Sequence, residues 1–215
     1  MSDIRPRYRG LQVSESEGEV VKVLVACEYS GIVREAFTRL GHDATSCDLL
    51  PTEIPGKHIQ GDVLEVIKQE QFDLMIAHPP CTDLAVSGAK WFKEKRADGR
   101  QQRALEFVQQ LLDAPIPMIA LENPVSVIST YIRKPDQHVH PWEHGHGETK
   151  KTALWLKGLP LLRPTNIVEG REQKVWKMPP SENRWKDRSR TYQGIADAMA
   201  EQWGNADGYS QGRLL

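Results

Sequence analysis

The chain of 215 residues sets 28 Lys and Arg against 29 Asp and Glu, a formal net charge of -1, with 39% hydrophobic and 27% charged residues. That balance describes one globular domain able to bury a core without disulfides or metal, and it is not that of a disordered or membrane protein. No apolar run approaches the roughly 20 residues of a membrane helix, and the polar start Met1 to Glu19 has no apolar signal-peptide core. The widely spaced Cys27, Cys47 and Cys81 form neither a disulfide framework nor a thiolate zinc pattern. A single domain over 20–206, flexible ends at 1–19 and 207–215, a cytoplasmic location and no membrane partner are expected. The net charge gives no global pull toward a polyanion, but Arg184, Lys186, Arg188 and Arg190 form a local basic group.

Val20 to Ala26 is a β-branched apolar run and reads as a buried parallel strand. The turn Cys27-Glu28-Tyr29-Ser30-Gly31 follows it. From Ile32 to Leu40 the apolar residues recur at helical spacing, with Gly41 as the stop. His42 to Leu50 reads as a second strand, Gly61-Asp62-Val63 as a turn opening a short helix through Ile67, and Phe72 to Ala77 as a third strand closed by Pro79-Pro80. Gln101 to Leu112 is an amphipathic helix. Pro117 to Leu121 is a fourth strand ending in Glu122-Asn123-Pro124, Lys151 to Leu156 a fifth, and Gly194 to Trp203 a last helix. The stretches 133–148 and 164–189 read as loops. Strands alternating with helices predict an α/β, doubly wound, mostly parallel Rossmann-like sheet, with its site along the carboxyl ends of the strands.

Two of those strand ends carry chemistry. Cys81, in His78-Pro79-Pro80-Cys81-Thr82, stands on a stiff backbone facing the crevice where such sheets bind ligands. A thiolate there could add reversibly to an electron-poor ring. Strands lie about 5 Å apart, so Glu122 falls on the same edge. A protonated or proton-sharing Glu122 could hold the ring nitrogen and leave the attacked carbon electrophilic.

Pro79-Pro80-Cys81, followed about forty residues later by Glu122-Asn123-Pro124, resembles the paired signature of the cytosine carbon-5 DNA methyltransferases. The Pro-Trp pair Pro141-Trp142 and the run Leu154-Trp155-Leu156-Lys157-Gly158-Leu159-Pro160 make the likeness greatest to small phage-type members without a full target-recognition domain. The resemblance implies S-adenosylmethionine as cofactor in a Rossmann-like methyltransferase fold. It also implies DNA as partner, with the cytosine flipped out and read with little sequence specificity. Cys81 is then the nucleophile and Glu122 the acid that engages ring nitrogen 3. By the same resemblance Glu28, Tyr29, Ser30 and Gly31 form the first cofactor loop, Asp48 and Leu49 meet the ribose, and Asp62 and Val63 meet the adenine. Pro79 and Asn205 complete the cofactor side. Pro80, Thr82, Asn123, Lys150, Lys151, Thr152, Arg188 and Arg190 are the implied substrate contacts. A modified methyl donor, a free nucleotide substrate, or a catalytically silent nucleic-acid or partner-binding domain are the alternatives. The group His138, His140, His144 and His146 sits in a Gly/Pro loop without the rigid support of a zinc site. No metal is expected, and base or phosphate contact is the expected use of that loop.

Overall fold

The computed structural model describes residues 19–182 and 184–204; of Val175 and Trp176 only the backbone is described. The expected flexible ends lie almost wholly outside these residues, as does Asn205. Seven strands, β1 (Lys22–Ala26), β2 (Asp43–Asp48), β3 (His58–Gln60), β4 (Leu74–Ala77), β5 (Met118–Pro124), β6 (Gln137–Val139) and β7 (Thr152–Lys157), form one sheet of order β3-β2-β1-β4-β5-β7-β6. β1 to β5 pair in parallel. β7 runs antiparallel to both β5 and β6. The architecture is a Rossmann-like α/β sheet, as the alternating pattern predicts.

Each central strand is apolar on both sides because helices cover both faces. On one face Val23, Val25, Leu74 and Ile76 pack with α1 (Ile32–Arg39) and α8 (Gln193–Trp203). On the other, Leu24, Ala26, Met75 and Ala77 pack with α2 (Val63–Gln69) and α4 (Arg100–Leu112). The remaining helices are short: α3 (Phe92–Ala97), α5 (Ile128–Tyr131), α6 (Lys174–Lys177) and α7 (Arg184–Ser189).

β1 lies between β2 and β4, so the connections leave it in opposite directions and open a crevice beyond the carboxyl ends of β1 and β4. Those two ends carry Cys27 to Gly31 and His78 to Cys81. β7 starts where β5 ends, with Thr152 opposite Pro124 and Leu154 opposite Glu122. Its approach, Lys150 and Lys151, therefore reaches the same edge.

The two stretches read as loops are more ordered than expected. The first of them holds β6, which, like β3 elsewhere in the chain, is only three residues long and gives no periodic signal. In addition, the chain around 142–149 zips onto 165–172: Val168 N–H donates to Trp142 O at 3.0 Å, Gly145 N–H to Asn166 O at 2.7 Å and Thr149 N–H to Glu172 O at 2.9 Å.

Candidate active site

The Cys81 turn is held from three sides. His78 N–H donates to Ala26 O (2.9 Å), continuing the β1–β4 ladder. The side-chain amide of Asn123 donates to Pro79 O at 3.0 Å. Leu84 and Ala85 N–H both donate to Cys81 O, at 3.0 and 2.8 Å. Beyond the turn, Val86 N–H donates to Val125 O and Val127 N–H to Leu84 O, each at 3.0 Å. The Pro-Pro-Cys segment is thus stitched to the segment that follows Glu122-Asn123-Pro124. Lys95, buried, ties the turn to the next helix through Thr82 O and Asp83.

Cys81 is exposed. The protein nevertheless crowds its sulfur, and this desolvation pushes the thiol pKa up, as does the charge of Glu122. Lys150 and Arg188 act in the opposite direction. These four groups therefore share one site, drawn from the ends of β4 and β5, the approach to β7, and α7. At rest Cys81 is therefore held toward the thiol form rather than the thiolate.

Glu122 is mostly enclosed, its side chain 18% exposed. Burial alone would raise its pKa, but a hydrogen bond and the charge of His78, with Lys150 and the Thr152 hydroxyl, outweigh burial and hold it below the usual carboxylate value. His78 Nδ1 stands 3.2 Å from Glu122 Oε2. Of the two expected forms, protonated or proton-sharing, the lowered value disfavours a carboxyl that holds its proton alone at rest. Lys150 Nζ donates to Arg188 O (2.8 Å) and Arg190 O (3.3 Å), and its burial lowers its pKa. A small recess of about 20 Å³ opens beside Glu122, lined also by Lys150, Thr152, Tyr192, Ile195 and Met199.

At the end of β1, Cys27 has φ 58, the one non-glycine residue in the left-handed region among those described. The Gly-rich turn implied by the resemblance is thus made by a cysteine, at a cost of about 1–2 kcal/mol. Asp48 and Asp62 come together at the ends of β2 and β3, close enough for both charges to raise the Cys27 and Cys47 thiols, after desolvation. Asp48 spends one oxygen on Leu50 N–H at 2.9 Å. Leu49 beside it is exposed.

Several expected contacts have other employment. Glu28 is buried, and its carboxylate accepts from Val33 N–H (2.7 Å), Arg34 N–H (3.2 Å) and Ser30 Oγ (3.0 Å). It caps α1, and with Ser30 and the N-cap Gly31 it serves the helix and leaves no carboxylate for cofactor. Asp62 caps α2 through Leu64 N–H at 2.9 Å while remaining exposed, whereas Val63 is buried in the core. Pro79 is buried and Pro80 exposed, like Thr82. Asn123 and Thr152 are buried, the first fastened to the Cys81 turn and the second bonded to Glu122, so both support the site from behind. Arg190 is committed to Glu53, at 3.0 and 2.8 Å, and to Asp187, at 2.5 Å. It is a latch rather than an open phosphate contact. Arg188 and Lys151 are exposed and, among the described residues, have no ion-pair partner. His144 is buried against Thr165, and His146 accepts Gly194 N–H at 3.0 Å, which removes both from the expected base or phosphate contact. Among the described residues no three metal-ligating side chains gather.

The residue that sequence reasoning passed over is His78. It was part of the quoted motif, but only the folded β4–β5 pair shows that it faces Glu122.

No family model matches the chain, and no curated protein does. Among solved structures, one described as a DNA modification methyltransferase encoded within a prophage (E. coli) is similar, with a TM-score of 0.48 and 16% identity. The match covers 74% of this chain and 55% of that one, so the chain spans little more than half of that structure's length. No helix among the described residues is long and apolar enough to cross a membrane.

Proposed function

We propose that this chain is a DNA cytosine-5 methyltransferase of low sequence specificity that works through a covalent Cys81 adduct. The observation that carries the reading is the convergence of Cys81, Glu122 and Lys150 on one edge of the sheet, with the two motif segments hydrogen-bonded to each other.

Asp48, half-exposed at the end of β2 with one carboxylate oxygen not engaged by Leu50, suits ribose hydroxyls, and the exposed Asp62 beside it suits an adenine edge. The first loop suits the cofactor less well, because Glu28 is spent on α1. S-adenosylmethionine, held along this edge, would supply an activated methyl group. The rest belongs to the chain. Cys81 sulfur bonds to carbon 6 of cytosine and its proton passes to solvent. Glu122, a carboxylate at rest, takes up a proton within the site and delivers it to ring nitrogen 3, so the electron pair of the broken carbon 5–carbon 6 double bond is carried toward carbon 5, which takes the methyl group. Loss of the carbon-5 proton to a base and release of Cys81 restore the ring, while the nitrogen-3 proton returns to Glu122. Arg188 and Lys151 supply the local positive charge that a net charge of -1 does not.

Labelled methyl groups should appear at carbon 5 of cytosine in DNA, and Cys81→Ser should abolish transfer. Trapping on 5-fluorocytosine DNA should leave a covalent protein–DNA band, because fluorine blocks the final elimination. Methylation that survives Cys81→Ser would sink the mechanism. Preference for free deoxycytidine nucleotide over DNA would move the reading to a small substrate. Absence of both transfer and a melting shift with S-adenosylmethionine would point to a silent binding domain.

A further inference from the structure

Glu122 has a partner that the paired motifs do not explain. His78 stands immediately before the two prolines, with its side chain only 10% exposed and Nδ1 3.2 Å from Glu122 Oε2. Its other ring nitrogen, Nε2, is buried and without a hydrogen-bond partner. An unpaired buried polar atom costs about 1–3 kcal/mol, and native folds retain few of them. For loop anchoring alone a smaller donor would suffice, since His78 N–H and Asn123 already fix the backbone here.

We infer that His78 is a positioning residue for Glu122, orienting its carboxyl group and lending it the proton that Glu122 passes to ring nitrogen 3 as Cys81 adds to carbon 6. The inference rests on the proposed cytosine chemistry. The groups facing Glu122 are His78 from the end of β4, Cys81 from the following turn, Lys150 from the approach to β7, and the Thr152 hydroxyl. Lys150 is held by the carbonyls of Arg188 and Arg190, which leaves His78 as the titratable donor bonded to the carboxylate. In this step the pair is an imidazolium beside a carboxylate, so that giving up the Nδ1 proton leaves a neutral imidazole that keeps its Nε2 hydrogen. That proton crosses from Nδ1 to Oε2, then from Glu122 to nitrogen 3, while the thiol proton of Cys81 goes to solvent. On elimination it returns by the same route. Loss of the proton from the pair at high pH leaves nothing to deliver, so the rate falls as pH rises through the ionisation of the pair, which belongs to both groups jointly.

The test is kcat and KM against pH for the full-length wild type, His78→Asn and His78→Ala on cytosine DNA. Asn keeps a donor near the Nδ1 position but cannot titrate. For His78→Asn a fall in kcat of about 10²-fold, with KM for DNA little changed and the alkaline limb abolished, is expected. Urea midpoints report whether either variant has lost its fold, and His78→Asn decides the outcome where His78→Ala does not fold. A His78→Asn enzyme with wild-type kcat and pH profile overturns the inference. So does a lowered kcat with the alkaline limb unmoved, which would make His78 a structural anchor. A wild type that adds no methyl to cytosine overturns the cytosine reading itself, and the proton path with it.

Discussion

Asn123 and Glu122 are neighbours in the chain but serve different partners. Successive side chains in a strand point to opposite faces. Glu122 therefore meets His78 at the site edge, and Asn123 turns inward, where its amide holds Pro79 O at 3.0 Å. Adjacency to Glu122 suggests a substrate contact for Asn123, whereas the period of two argues against it. The alternation becomes decisive only once β5 is known to continue through Pro124. Truncation by Asn123→Ala leaves the Pro79 carbonyl without its buried donor. A loss of about 1–2 kcal/mol is expected, read as a lower urea midpoint with an unchanged slope. Adduct formation on 5-fluorocytosine DNA should also slow, because the Cys81 turn loses one of its anchors. An unchanged midpoint together with an unchanged trapping rate would show that Asn123 does not position the turn.

At the scale of elements, α7 and the residues after it form a strap between the turn at the end of β1 and the edge that bears Cys81 and Glu122. Tyr29 Oη lies 2.9 Å from Ser189 Oγ and donates to Lys186 O at 3.1 Å. Arg190 grips both carboxylate oxygens of Glu53 with its Nε and Nη2, and Lys150 binds the carbonyls of Arg188 and Arg190. Glu53 itself sits on a loop that the fully buried Arg34 ties down through Ile54 O (2.6 Å), Thr52 Oγ1 (3.2 Å) and Ser46 Oγ (3.0 Å). From the sequence, Arg188 and Arg190 are equivalent basic residues. Partners 137 positions apart, such as Glu53 and Arg190, leave no local pattern. The Arg190 hydrogen bond holds the Glu53 carboxyl below the usual range. The latch therefore contributes above the ordinary Glu pKa of about 4.3 and is lost as pH falls through the depressed folded value. Glu53→Gln should cost less than about 1 kcal/mol of global stability, since the pair is about one-third exposed. It should nonetheless raise the rate of limited tryptic cleavage within 184–190 severalfold at neutral pH. Equal cleavage of wild type and variant would mean that the strap is held without the latch.

For the whole molecule, the alternation of long elements was legible because buried parallel strands and amphipathic helices each have a strong period. β3, β6 and the zipped loops were not, since their order comes from pairing with distant chain. The same pairing explains how so small a chain closes its site. The 141–149 loop packs on the start of α8, where Gly194 N–H donates to His146 Nε2 (3.0 Å) and Tyr192 Oη donates to Glu148 Oε2 (2.6 Å). α8 in turn lies on α1, and its buried Trp203 Nε1–H donates to Pro160 O at 3.1 Å. Gly194 is the contact point of these layers: a Cβ there would lie 1.9 Å from His144 O, inside any permissible separation from backbone. Gly194→Ala must therefore push the loop from the helix, although alanine has the better helix propensity. Destabilisation of about 1–3 kcal/mol, the usual range for overpacking, should appear as a lower urea midpoint. Cys81 trapping should fall with it, because Tyr192, which lines the recess beside Glu122, moves with the helix start. A variant as stable as wild type would show that the loop and α8 are not in contact, and would remove the support on which this closure of the site depends.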